Sequence, residues 1–422
     1  MRRLVPLLGA LLALAALGAA GCSKRDRLNP LDVGNPVTGG APEGFNALAD
    51  FSTIRLVWTP RPDLAIDGYQ LYRLSPGDSL YRPLGPQQPA SNGTYLDAGV
   101  FNGVEYGYQI RYVHDGEPGD ALASDLAVAG PIRAYVVDGN GGRLVRITPD
   151  GRDVLSARTR LGVPFSLAVT QDFGAIWVSD DLNGRVWRID PSSPEAIAVP
   201  GLNRPFTMAL DPIDQSAWVC DRSGTSGSLH HISASGVALP GTIGGLLEPS
   251  GLATDPRTGT VWVSERSGDR VRRYSRLGIA LGARPVPTPS RIAVDSLTSE
   301  AWVTSATTGW VWRFAPDNTV LDSLQLSSPI GVALDWRRRT AWVADAQAGQ
   351  LVGIDMDTRL VRIRIAALSQ PYDVAVDLDR GEPWVVARGN ASVYRFAPDG
   401  TRLGRVTGLG DPWEIRLDRG RL

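Results

Sequence analysis

Apolar residues recur at every second position in short runs, and clusters of Gly, Pro, Asn and Asp separate the runs. Such alternation marks half-buried β-strands joined by turns. From about residue 131 the runs themselves repeat. One unit reads Pro164-Phe165-Ser166-Leu167-Ala168-Val169, then Ile176-Trp177-Val178-Ser179-Asp180, then Gly184-Arg185-Val186-Trp187-Arg188-Ile189. The leading proline returns at Pro205, Pro249, Pro289, Pro329 and Pro371, at steps of 41, 44, 40, 40 and 42 residues. Each middle phrase carries a tryptophan before valine, at Trp177, Trp218, Trp262, Trp302, Trp342 and Trp384. The region opens with only the later phrases, Ala134–Asp138 and Gly142–Ile147, and ends with only the first, Pro412–Asp418. Two partial repeats that complete each other allow a ring to close, because the last strand can pair into the first sheet and leave few open edges. The expectation is an all-β chain in which residues 131–422 form a seven-bladed β-propeller, one blade per repeat.

The phrases resemble the NHL and YVTN repeat propellers, over nearly all of 131–422. That resemblance implies architecture and little chemistry, since such propellers host binding proteins and a few enzymes alike. Residues 42–130 carry a different pattern. Ile54, Leu56 and Trp58 alternate along one strand, Tyr69 and Leu71 along the next, and Tyr106, Tyr108, Ile110 and Tyr112 share one face of a third. Pro60–Asp63, Ser75–Asp78 and Ser91–Gly93 are turn chemistry between them. The segment resembles a fibronectin type III domain: Trp58 stands at its core tryptophan, Gly68–Tyr72 at its third strand and Gly103–Tyr106 at its tyrosine corner. A β-sandwich is expected here, acting as a spacer.

The N-terminus has a third pattern. Arg2 and Arg3 precede the apolar run Leu4–Leu17, and small residues lead to Cys22, the parts of a secretory signal. Leu17-Gly18-Ala19-Ala20-Gly21-Cys22 resembles the bacterial lipobox, with Ala19 where leucine is commoner. The resemblance implies removal of residues 1–21 and lipidation of Cys22, so that acyl chains hold an exported protein on a membrane of the cell envelope. Ser23 rather than aspartate after the cysteine is compatible with the outer membrane. The stretch 22–41 lacks apolar patterning and reads as a flexible tether.

Bulk numbers alter this picture only slightly. The net charge of −1 gives no basis for a nucleic-acid partner. With Cys22 assigned to lipid, the one other cysteine, Cys220, has no partner, and its middle-strand position reads as a small buried filler. No cofactor motif is evident, and no unmatched cluster of metal ligands stands out.

Candidate chemistry is best sought where repeats differ. The carboxylates that recur, Asp211, Asp255, Asp295, Asp335, Asp377 and Asp418 after the first strand and Asp138, Asp180, Asp221, Glu265 and Asp345 after the second, suit each blade's own turns. His231 occupies a slot filled by arginine in other repeats, and no histidine falls in an innermost strand. Streptogramin lyases, which share such a propeller and use a catalytic histidine, are therefore a poor match. The residues after the leading prolines do vary, and ring closure makes Tyr372, Trp413, Phe165 and Phe206 neighbours on four consecutive blades. The next slot contributes Asp373 and Glu414 beside this aromatic arc, with Arg291 across the channel. Aromatics with a few convergent charges at a concave mouth define a ligand site; the alternative is packing over the blade tops.

Three functions follow. The leading one is an envelope-anchored binding or scaffold lipoprotein that recognises a protein, peptide or glycan through the propeller mouth. The second is a propeller-type lyase or hydrolase using Asp373 and Glu414. The third is a purely structural envelope component.

Overall fold

A computed structural model describes residues 29–171, 174–191, 193, 195–222 and 226–419. The expected signal segment and the expected lipidation site Cys22 lie outside the described residues. The chain divides into two compact units, the second containing everything from Val128 onward. Apart from one short 3₁₀ turn at Arg388–Asn390, every element among the described residues is a strand. Among the described residues no helix is long and apolar enough to cross a membrane.

In the first part of the chain, strands Asn46–Asp50, Thr53–Val57 and Thr94–Asp97 form a three-stranded sheet, and Gly68–Leu74 and Glu105–His114 lead a five-stranded one. The alternation read from sequence is the burial pattern: Ile54, Leu56, Trp58, Tyr69, Leu71, Tyr108, Ile110 and Tyr112 are all buried. Trp58 and Tyr69 pack with ring centroids 5.4 Å apart. The Tyr108 hydroxyl donates to Asp97 Oδ2 at 2.9 Å, which answers the cost of burying it. Asn29–Ala41, expected as part of an extended tether, instead forms successive turns closed by Asn35 and Thr38 side chains, both buried. Asn and Thr hold turns this way through their own backbone, without an apolar pattern.

From Ile132 the strands form seven four-stranded antiparallel sheets. Each holds its leading strand, then a second strand that carries the tryptophan in six sheets and Tyr135 in the other, then two more, as in Pro164–Val169, Ile176–Asp180, Arg185–Ile189 and Ala196–Val199. The first sheet is assembled from both ends of the region: Pro412–Arg419 pairs antiparallel with Ile132–Asp138. Leading strands pack beside one another in order, and the Pro412 strand lies next to both the Pro371 strand and the Pro164 strand. That order is consistent with a β-propeller.

The core lies between sheets. Trp177 and Val186 of one sheet are buried with Met208 and Val219 of the next, and Trp384 is buried with Val136 and Ile415. Whereas Trp342 faces Gly353, four of the tryptophans face a third-strand arginine across the pair, as Trp177 faces Arg188 and Trp262 faces Arg273. The guanidinium lies over the ring at 5.9 and 4.8 Å respectively, a cation–π contact that also covers the indole edge. His231 takes this place in the third sheet, stacked on Trp218 at 3.9 Å, and bonds Ser216 Oγ at 2.7 Å.

The recurring carboxylates serve the backbone. Asp211, Asp255, Asp295 and Asp377 each accept the N–H two residues on. The second set does more than a local turn: Asp221 accepts from Asn203 and Arg204, Asp345 from Ser327 and Ser328, and Asp138 from Gly410 and Asp411. Each of these carboxylates fixes the loop that enters its sheet's leading strand.

Candidate functional site

Six of the seven leading strands share one irregularity that builds the site; Ile292–Val294 pairs without it. Pairing with the second strand slips just after the proline, for example between Pro205 and Thr207 and between Pro412 and Glu414. A bulge of this kind re-aims side chains and leaves an N–H without a ladder partner. The first residue after the proline turns to the strand's open end. The second turns sideways, toward the neighbouring sheet.

The first-slot residues meet as the sequence predicts. Tyr372 and Trp413 pack edge to face at 5.2 Å, Trp413 and Phe165 at 4.5 Å, and Phe165 and Phe206 at 5.0 Å. These four half-buried rings, from four sheets, line a cavity of about 380 Å³. Gly139 makes room for the arc, since a Cβ there would come within 2.8 Å of Trp413 Nε1.

Of the second-slot residues Arg291 alone is among those lining that cavity, and the expectation that Asp373 and Glu414 flank the arc is corrected here. Glu414 is fully buried; its Oε2 accepts the Leu167 N–H of the next sheet at 2.9 Å. Asp373 Oδ2 accepts the Ile415 N–H at 3.0 Å, and Ser166 Oγ accepts the Met208 N–H at 3.3 Å. The bulge explains this: side chains in that slot cap the N–H that the next leading strand leaves unpaired. Arg416 binds both acids, Asp373 at 3.0 Å, and Arg291 reaches from across the ring to within 3.5 Å of Glu414. Burial pushes Asp373 above the usual carboxylate range, although Arg416 opposes it. Burial disfavours the charge on Arg291, but Glu414, Tyr372 and Asp373 outweigh that and raise it on balance.

This charge network forms a waist. Arg291 lines the aromatic cavity on one side and, with Asp373 and Arg416, a larger chamber of about 1030 Å³ on the other. The larger chamber is bounded by later residues of the leading strands, such as Ala168, Val169, Met208 and Thr254.

Besides Ala306, three arginines that line the cavity escaped the sequence reading: Arg222, Arg266 and Arg388. All occupy one slot, immediately after the tryptophan phrase, where other repeats carry Gly139, Asp181, Ala306 and Ala346. Comparing that slot across repeats, as was done for the slots after proline, is the signal that finds them. Arg388 lies 3.4 Å above the Trp413 ring and pairs with Asp411 at 2.8 Å. Arg222 lies 3.3 Å above the Phe206 ring, and its Nε donates to the Pro249 carbonyl at 2.8 Å. Burial pulls its pKa down to about 10, which leaves it charged at neutral pH. Cys220, next to this slot, is fully buried and its thiol is pushed up by desolvation, which removes it as a nucleophile. His230 and His231 lie in a third strand and are not among the residues lining the cavity.

The chain matches no family model and no curated protein. Among solved structures it is similar to a functionally unknown protein from Desulfotomaculum acetoxidans, with a TM-score of 0.58 and 15% identity over 68% of this chain and 99% of that one. It is also similar to virginiamycin B lyase from Staphylococcus aureus, at 0.52 and 14% over 68% and 96%. Apo AztD from Citrobacter koseri aligns at 0.50 and 13% over 69% and 98%. At such identities the likeness is one of fold. The class so defined is an all-β protein with a β-propeller-like body.

Proposed function

We propose that the chain is an exported lipoprotein, anchored to an envelope membrane through Cys22, whose mouth cavity is a binding site and not a catalytic one. On this reading residues 42–130 are a fibronectin type III-like spacer and the seven sheets are the blades of a closed NHL- or YVTN-type propeller. The cyclic order of leading strands and the Pro412–Ile132 sheet support closure. The observation that carries the binding reading is the arc Tyr372–Trp413–Phe165–Phe206. Four half-exposed aromatic rings on four sheets enclose a concave space, within the size range of ligand pockets. A protein, peptide or glycan end fits that description. Catalysis by Asp373 and Glu414 is disfavoured, because both are committed to backbone N–H groups and arginines.

Radiolabelled fatty acid should enter the protein in its host and be lost in Cys22→Ala. The purified full chain should retain an envelope protein or glycan that the folded Trp413→Ala chain releases. Equal retention by both chains would remove the mouth from the reading.

A further inference from the structure

The charges around the mouth are unevenly balanced. Four arginines line the cavity and no carboxylate does. Arg388 is neutralised by Asp411, and Arg291 by Glu414 across the waist. Arg222 has no such partner: among the described residues no carboxylate lies within ion-pairing reach of it. Glu248 acts on it only through space, its carboxylate accepting the Ser267 hydroxyl instead. Arg266 is exposed at the rim and adds a further cation.

Arg222 is also preorganised. Its plane is fixed by Phe206 beneath and by the Nε bond to Pro249. The two terminal amino groups therefore remain for a guest, in the fork that matches two oxygens of one anion. Holding an unpaired cation against apolar rings costs stability. A guest that supplies the missing charge recovers that cost. Phe165 packs against Phe206, the ring beneath this guanidinium, and Trp413 packs against Phe165, so the cavity offers flat apolar surface next to the cation.

We infer that the mouth cavity takes an organic oxyanion, its flat apolar body against Phe165 and Trp413 and its carboxylate or phosphate on Arg222. This rests on the mouth being a binding site and adds the sign and shape of what enters it. In the larger chamber Arg416 pairs with Asp373, and Arg188 lies over Trp177 with its Nε on the Ala234 carbonyl, so it is the response of binding to the Arg222 and Phe165 variants that assigns the guest to the mouth.

The test uses the full chain and three probes of one shape, followed by calorimetry: 2-naphthoate, 2-naphthyl phosphate and the neutral 2-naphthamide. At least one anion should bind about tenfold more tightly than the amide, the order of a charge-assisted hydrogen bond. Which anion it is identifies carboxylate or phosphate as the natural group. Arg222→Gln should bring anion and amide within about twofold, Arg222→Lys should keep part of the preference, and Phe165→Ala should weaken all three probes. Equal binding of anions and amide, with loss of all in Phe165→Ala, overturns the anion assignment and leaves the mouth as a neutral site. Absence of binding, or binding indifferent to Phe165→Ala, overturns both. A melting curve of each variant separates loss of binding from loss of fold.

Discussion

Trp413 and Glu414 are adjacent in sequence and have opposite fates. Trp413 lies half-exposed on the cavity with Phe165 and Tyr372, whereas Glu414 is sealed in the waist between Arg291 and Arg416. The same division separates Tyr372 from Asp373 and Phe165 from Ser166. Successive side chains on a strand point to opposite faces, and the bulge after the proline sends one toward solvent and the next toward the neighbouring sheet. A slot that varies between repeats is thus not functional by that fact alone. The first slot varies because it faces outward. The second varies because the gap to the next sheet differs: Gly331 stands where a Cβ would come within 2.7 Å of Asp373 Cα, while Glu414 spans to Leu167.

This contrast gives the largest expected effect. Glu414→Ala strips Arg291 of its carboxylate, leaves Arg416 with Asp373 alone, and leaves the Leu167 N–H without an acceptor. Removing one member of a buried ion pair typically costs about 3–5 kcal/mol, so a urea titration should show a fall of that order. Trp413→Ala removes a ring that is stacked but half-exposed, so its cost should be well below that, about 1–2 kcal/mol, while binding at the mouth is lost. Equal destabilisation by the two substitutions would erase the distinction between the slots and assign Trp413 to the core.

Much of this architecture was legible in the sequence, for a physical reason. Each repeat must bury the same tryptophan against the same neighbour, so Trp177, Trp218, Trp262, Trp302, Trp342 and Trp384 recur and are all buried. The split repeat at the ends even places Trp413 beside Phe165, residues far apart in the chain, from the sequence alone. The hidden part concerned direction. Period-two patterning places a side chain on a face but does not register a one-residue bulge, so Asp373 and Glu414 were read as mouth acids when they are interior latches. The arginines of the mouth were overlooked because Arg222, Arg266 and Arg388 follow the strand phrase, where polar residues look like ordinary loop chemistry. The turns of Asn29–Ala41 were missed because Asn35 and Thr38 hold them by side-chain bonds, without an apolar period.

The slot occupied by His231 gives the smallest effect and tests whether the repeat logic extends to electrostatics. Arginine stacks on the tryptophan in the Trp177, Trp262, Trp302 and Trp384 sheets, while His231 lies on Trp218. Burial lowers its pKa below the ordinary histidine value; Asp214 and Asp211 raise it less, and Arg276 adds to the lowering. His230, next to it, is lowered by burial as well, against Asp221. A histidine held below its unfolded value of about 6.5 binds its proton more readily in the unfolded chain, so stability rises with pH through that window. Its contribution is complete above about pH 6.5 and is lost as pH falls toward the folded pKa. His231→Arg puts on Trp218 the flat guanidinium that four other sheets carry and cannot titrate there, so the fall in melting temperature between pH 7.5 and 5.5 should be smaller than in the parent. The remaining slope belongs in part to His230, and His230→Gln in the same background should reduce it further. If the parent and His231→Arg lose the same number of degrees, protonation of His231 is as easy in the folded sheet as outside it, and the Trp218 stack exerts no pull against its charge.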